Sequence, residues 1–123
     1  MRALIVDDSR AMRVLLARIL KEAGFEVLEA AHGAEALEQL RRGGGADLAL
    51  VDCNMPEMDG FEFARAVRSD RGLDGVRLLM VTTECEMEKV IRALECGVDD
   101  YIMKPFTKEV ILDKIALLGM EVA

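Results

Sequence analysis

Short apolar runs alternate along the chain with stretches whose apolar residues recur every three to four positions, and this pattern alone predicts five strands and five helices. Arg2 to Val6 reads as a strand that ends in Asp7 and Asp8. After Ser9, a suitable cap, Met12, Leu15, Leu16, Ile19, Leu20 and Ala23 fall on one helical face, and Gly24 supplies a stop. Phe25 to Ala30 reads as a second strand, and Ala34 to Arg42 as a helix that turns Ala36, Leu37 and Leu40 inward. Gly43 to Gly45 is expected to be a flexible loop. The stretch from Asp47 to Gly60, DLALVDCNMPEMDG, is the centre of the pattern: Leu48 to Val51 do not alternate, which suits a strand buried on both faces, and Pro56 and Gly60 break the chain into a loop beyond it. Gly60 to Ser69 then forms a helix around Phe61, Ala64 and Val67, Arg71 to Gly75 a loop, and Arg77 to Thr82 a fourth strand. Glu84 to Glu95 comes next as a helix with Met87, Val90, Ile91 and Leu94 on one face, stopped by Gly97. Asp100 to Met103 is a last strand, and after Lys104-Pro105-Phe106 a final helix runs from about Thr107 to Leu118.

Strands alternating with helices give a parallel sheet covered on both faces, because a parallel connection needs a crossover and the crossovers are right-handed. The expected fold is α/β, a doubly wound five-stranded parallel sheet of flavodoxin-like (βα)5 type. Its order is taken as 2-1-3-4-5, adopted from that known class of sheet rather than derived. Ligands of open α/β sheets sit at the carboxyl ends of the strands. That order makes neighbours of Asp7 and Asp8, Asp52, Thr82 and Lys104.

At 123 residues the chain suits a single domain over 1–123 with one substantial core. With 52% hydrophobic and 32% charged residues it is globular, and no apolar run nears the ~20 residues of a membrane span. MRALIVDDSR lacks the core of a signal peptide, and Cys53, Cys85 and Cys96 form no disulfide framework, so a cytoplasmic, monomeric protein is expected. A net charge of −7 argues against a nucleic-acid surface, which gains affinity from Lys and Arg neutralising phosphates. Proteins, or small anions held through a metal, are the better partners.

Three converging carboxylates repel one another by roughly 1 to 4 kcal/mol per pair at surface-like dielectrics, and a proton or a divalent cation must offset this. Oxygen ligands with room for water and phosphate suit Mg²⁺ or Mn²⁺, whereas His32 and the scattered cysteines offer no zinc set. Lys104 adds a positive charge and Thr82 a hydroxyl donor. Such a site binds a phosphoryl group, and a carboxylate can itself be the nucleophile that forms an aspartyl-phosphate.

The segments VDD at Val6 to Asp8, VDCNMPEMDG from Val51, VTTE from Val81 and YIMKPF from Tyr101, in that order and spacing, resemble the receiver domains of two-component response regulators, most of all the stand-alone CheY-like chemotaxis type. The resemblance covers essentially the whole chain. It implies that Asp52 is the phosphoacceptor, that Asp8, Asp52 and the backbone carbonyl of Asn54 are metal ligands, and that Asp7 acts through water. It further implies that Lys104 pairs with the phosphoryl group, that Thr82 is drawn to it, that Tyr101 repacks in response, and that the Lys104-Pro105 bond is cis. The phosphoryl donor would be a sensor histidine kinase or a small phosphodonor such as acetyl phosphate, and a downstream protein would read the face of the fourth helix, fifth strand and fifth helix. The chain would catalyse only its own phosphorylation and dephosphorylation, and chemotaxis or motor control is the expected output. Asn54 and Glu84 match chemotaxis regulators with short-lived phosphorylation. Thr83, where many members carry a smaller residue, would narrow access to the phosphoryl group, and Cys53 stands where the best-known chemotaxis members have Trp.

Blander readings exist for single residues: Asp at a strand end caps helices, Thr83 is an ordinary β-former, Tyr101 a core aromatic, His32 a loop residue, the cysteines inert thiols, and Met12 and Met87 helix packing. Other functions within reach are a phosphorelay shuttle, the receiver of a longer regulator, and a Mg²⁺-dependent phosphatase. The phosphatase would carry Asp-x-Asp at its first strand, where this chain has adjacent Asp7 and Asp8. A nucleotide- or flavin-binding domain on the same fold would want glycine after that strand, and DDSRAM has none.

Overall fold

The five apolar runs become parallel strands: β1 (Arg2–Val6), β2 (Glu26–Ala30), β3 (Leu48–Asp52), β4 (Arg77–Thr82) and β5 (Asp100–Met103), in the order β2-β1-β3-β4-β5. The structure is a computed structural model and describes residues 1–42, 45–55, 57–83 and 87–122, the Met87 side chain excepted. The expectations placed on Gly43 and Gly44, Pro56, Glu84, Cys85 and the inward face of Met87 lie outside the described residues.

Alternation along the inner strands explains why their sequences read as unbroken apolar runs. Leu48 and Leu50 of β3 face one apolar cluster, and Ala49 and Val51 face another on the opposite side of the sheet. The helices α1 (Arg10–Glu22) and α5 (Lys108–Leu117) close the first side with Leu16, Ile19, Leu20, Ile111 and Ile115. On the second side α2 (Gly33–Arg41), α3 (Gly60–Ser69) and α4 (Met87–Glu95) bring Leu37, Leu40, Phe61, Phe63, Val67 and Ala93. Each large side chain fully buried here contributes about 1.5 to 3 kcal/mol.

Caps set the helix starts. Ser9 accepts from Met12 N at 3.3 Å, Thr107 from Val110 N at 3.2 Å, and Asp59 forms a reciprocal box with Glu62. His32, expected to be a plain loop residue, caps α2 through Nδ1, which accepts from Glu35 N at 3.3 Å. Boundaries shift by a residue or so: β2 begins at Glu26, because Phe25 turns into the core, and Arg71–Leu73 forms one 3₁₀ turn within the expected loop.

Two helix faces differ from the spacing. Leu15 is exposed, since α1 centres its contact on Leu16, Ile19 and Leu20, and Leu15 lies about 100° round the helix from Leu16. Among the described side chains of α4 the buried one is Ala93, Val90 is half-buried, and Ile91 and Leu94 are 47% and 52% exposed. The apolar stripe of α4 is wider than the contact the helix makes.

Candidate functional site

The strand ends meet as the order requires. Asp7 closes β1 and donates its backbone N–H to Ala30 O at 3.1 Å, while its Oδ1 accepts from Ser9 N at 2.8 Å. Its carbonyl accepts from Arg13 Nη1 at 2.6 Å, which fixes the turn into α1. Asp7 is buried, and its Oδ2 has no hydrogen-bond partner. That orphaned oxygen faces Lys104, whose Nζ is 3.7 Å from it and 3.6 Å from Asp52 Oδ1. Asp8 is exposed beside them, and one carboxylate oxygen from each of Asp7, Asp8 and Asp52 lies within 4.8 Å of the others.

Lys104 is brought to the cluster by the end of β5. Its backbone N–H donates to Thr82 O at 2.7 Å, extending the β4–β5 ladder by one residue, and the Lys104-Pro105 bond beyond it is cis. Asp52 Oδ1 also accepts from Asn54 N at 3.3 Å, which fixes the first turn of the loop after β3. Glu57 takes a left-handed φ of 66° in that loop, and Gly60 closes it: a Cβ there would sit 2.7 Å from Asp52 O and 3.0 Å from Cys53 Cα. Gly60 N donates to Cys53 O at 3.0 Å.

Burial raises the Asp52 carboxyl above its ordinary range, and the charges of Asp7 and, least, Asp8 add to this; Lys104 and the Asn54 N–H pull it down. Only one cation, Lys104, stands within ion-pair reach of the Asp7 and Asp52 carboxylates among the described residues. An all-oxygen donor set with an orphaned buried carboxylate oxygen therefore fits a hard divalent cation such as Mg²⁺.

Thr82 is buried at the end of β4, whereas Thr83 is exposed. Tyr101 of β5 is half-buried against the cluster on the α3–α4 side, with Lys114 Nζ 5.2 Å from its ring centroid and ion-paired to Asp100 at 3.2 Å. Between Thr82 and Tyr101 lies a chamber of about 10 Å³ whose walls include Cys53, Phe61, Met80 and Ala93. Runs and motifs along the sequence do not predict this chamber, and on their terms Cys53 is supporting structure. Parity would have found it: Ala49, Val51, Cys53 and Met55 share one face at a period of two, so Cys53 points into the cluster beneath α3 and α4. A larger open groove of about 410 Å³ between β2 and α2, lined by Arg2, Leu28, Glu35 and Arg42 among others, includes none of these site residues.

A family model described as response regulator receiver domain matches residues 3–116. Chemotaxis protein CheY1 of Helicobacter pylori is 42% identical over 119 residues, 96% of each chain. Chemotaxis protein CheY of Pseudomonas aeruginosa is 41% identical over 116 residues, 94% of this chain and 93% of that one. The solved structure of chemotaxis response regulator CheY4 of Vibrio cholerae superposes with a TM-score of 0.89 at 37% identity, covering 95% of this chain and 97% of that one.

Proposed function

Because this chain belongs to the response regulator receiver domain family, we propose that it is a single-domain, CheY-type chemotaxis regulator that takes a phosphoryl group onto Asp52 and thereby changes its affinity for a downstream protein. The observation that carries this reading is the convergence of the Asp7, Asp8 and Asp52 oxygens within 4.8 Å, with the Lys104 ammonium 3.6 Å from Asp52.

In the proposed reaction an Asp52 carboxylate oxygen attacks the phosphorus of a phosphohistidine on a sensor kinase, or of acetyl phosphate. The new O–P bond forms as the bond to the imidazole nitrogen or the acetate oxygen breaks, and the leaving group departs with that electron pair. Asp8, Asp52 and the Asn54 carbonyl, with Asp7 through water, would hold Mg²⁺, which would supply neutralisation of phosphoryl charge. Lys104 pairs with a phosphoryl oxygen from the position it already holds between Asp7 and Asp52. The Thr82 hydroxyl moves to another phosphoryl oxygen, and Tyr101 repacks beside the space Thr82 leaves. Water then hydrolyses the acyl phosphate, at a rate tuned by Asn54, Thr83 and Glu84. The chain is not a metabolic enzyme; it acts on itself alone.

Up to about two added negative charges select the conformer that binds them best, and a partner responds only as far as it distinguishes the two conformers. The output face is that of α4, β5 and α5, where Ile91, Leu94 and Val110 are exposed and Tyr101 is half-buried. No helix among the described residues is long and apolar enough to cross a membrane, in keeping with a cytoplasmic messenger between a kinase and a motor-type target. Incubation with Mg²⁺ and acetyl phosphate is expected to add one phosphoryl mass to the wild type and none to Asp52→Asn. Undiminished labelling of the variant would sink the assignment.

A further inference from the structure

Tyr101 lines two spaces that share no other wall residue. One is the inner chamber of about 10 Å³, where Thr82, Phe61 and Lys89 also stand; the other is a surface hollow of about 330 Å³ walled by Pro105, Val110 and Lys114 among others. Lys114 belongs to the outer space alone. It rises from α5, whose Ile111 and Ile115 are wholly buried, and its Nζ lies 3.2 Å from both carboxylate oxygens of Asp100 and 5.2 Å from the centroid of the Tyr101 ring. Asp100 is fixed in turn by the Tyr101 N–H, which donates to its Oδ1 at 2.8 Å. The Lys114 and Asp100 side chains are only 29% and 25% exposed, so solvent ions screen this pair less than a fully exposed one.

An ammonium within about 6 Å of an aromatic centroid attracts the ring through its quadrupole. The inner chamber is far smaller than a phenol ring, so Tyr101 can move inward only as the proposed displacement of Thr82 widens it. Such a move takes the ring away from Lys114, which Asp100 and the buried face of α5 hold back. We propose that Lys114, anchored by Asp100, is a positioning residue that holds the Tyr101 ring at the outer hollow in the unphosphorylated protein and so sets part of the free-energy gap to the phosphorylated conformer. This inference deepens the phosphoacceptor reading above and rests on it.

Beryllofluoride, a non-covalent phosphoryl mimic, tests it as a binding equilibrium, where linkage between the Tyr101 position and ligand affinity is strict. Affinity is read in Mg²⁺ by titrating amide resonances. Lys114→Met keeps most of the stem and removes the charge, so it is expected to tighten binding about two- to fivefold, the scale of one cation–π contact at a partly exposed site. Losing a positive charge would by itself weaken the binding of an anion, so the sign separates the two effects. Lys114→Arg keeps a cation beside the ring and is expected to bind as the wild type does. Asp100→Asn keeps an oxygen for the Tyr101 N–H but releases the ammonium, and is expected to tighten binding by no more than Lys114→Met does. In a Tyr101→Leu background the effect of Lys114→Met is expected to vanish, which a general change in charge or helix packing would not produce. Tyr101 is the single tyrosine and the chain has no tryptophan, so tyrosine emission, expected to change on saturation, reports this ring alone. Equal or weaker binding by Lys114→Met, unchanged binding by Asp100→Asn, the Lys114→Met ratio persisting in the Tyr101→Leu background, or emission that beryllofluoride leaves unmoved would overturn the inference. If Lys114→Met loses its dispersed amide spectrum, Lys114→Gln decides on the same criteria. Wild type that acetyl phosphate fails to label at Asp52 removes the phosphoacceptor reading and this inference together, whereas labelled wild type with unmoved affinities removes this inference alone.

Discussion

Burial and the Asp7 charge raise the Asp52 carboxyl, and the direction of that shift has a consequence for stability. A group whose pKa is higher folded than unfolded stabilises the fold below the unfolded value, and this stabilisation is lost as pH rises through the folded one. At neutral pH the ionised Asp52 is therefore a net burden on the metal-free protein. Asp52→Asn is expected to raise the melting temperature at pH 7 by about 4 °C for each kcal/mol relieved, with the gap closing as pH falls below about 4. Thermal melts across that range check this, and a lower melting temperature for the variant at pH 7 contradicts it. Gly60 has a different constraint. Its missing Cβ leaves room for the Asp52 carbonyl, so Gly60→Ala is expected to lose about 1 to 3 kcal/mol in urea unfolding and to lower the phosphorylation rate by displacing the loop. At this scale the carboxylates were legible because polar residues end apolar runs. The chamber that Cys53, Thr82 and Tyr101 line was not, because it exists only where β3, β4, β5, α3 and α4 meet.

Elements were legible in proportion to how completely they are buried. β3 is buried along its whole length and its bounds match the apolar run, whereas β2, at the sheet edge, has Glu26 and Glu29 exposed and starts one residue later than its pattern implies. The start of α1 came from Ser9, whose capping chemistry is local. The faces of α1 and α4 did not, since periodicity counts apolar residues and cannot say which of them a neighbour covers. Ile91 and Leu94 thus stand outside the core. Ile91→Ser and Leu94→Ser are each expected to change stability by no more than about 0.5 kcal/mol, against about 3 to 5 kcal/mol for truncating the wholly buried Phe63 to Ala. Denaturant melts separate the two classes, and a large loss at Ile91 would place α4 differently on the sheet.

For the whole molecule, order 2-1-3-4-5 turns four distant segments into one rim, where Asp7, Asp8 and Asp52 converge. A cation that binds this rim binds only the folded chain. Mg²⁺ at ten times its Kd is expected to add about 1.4 kcal/mol of stability to the wild type and to raise its melting temperature by roughly 5 °C. EDTA should reverse the rise, and Asp8→Asn should blunt it. An equal rise in Asp8→Asn would move the cation elsewhere. The parallel, doubly covered sheet was reachable from the alternation of strands and helices, whereas its order was adopted from a known class of sheet and the loop after Asp52 depends on tight turns with no periodic signature.

Two of the hydrogen bonds that extend the sheet past its strand ends, Lys104 N to Thr82 O and Cys53 N to Val81 O, bear on how fast such a molecule can respond. They rivet the main chain at and beside the residues proposed to sense the phosphoryl group, leaving their side chains as the parts with freedom to move. Rotamer changes run in picoseconds to nanoseconds where space allows, whereas breaking a ladder means local unfolding in microseconds or longer. On the proposed reading, a messenger built this way would change state without dismantling its frame, and its delay would be set by the chemistry at Asp52 rather than by the fold.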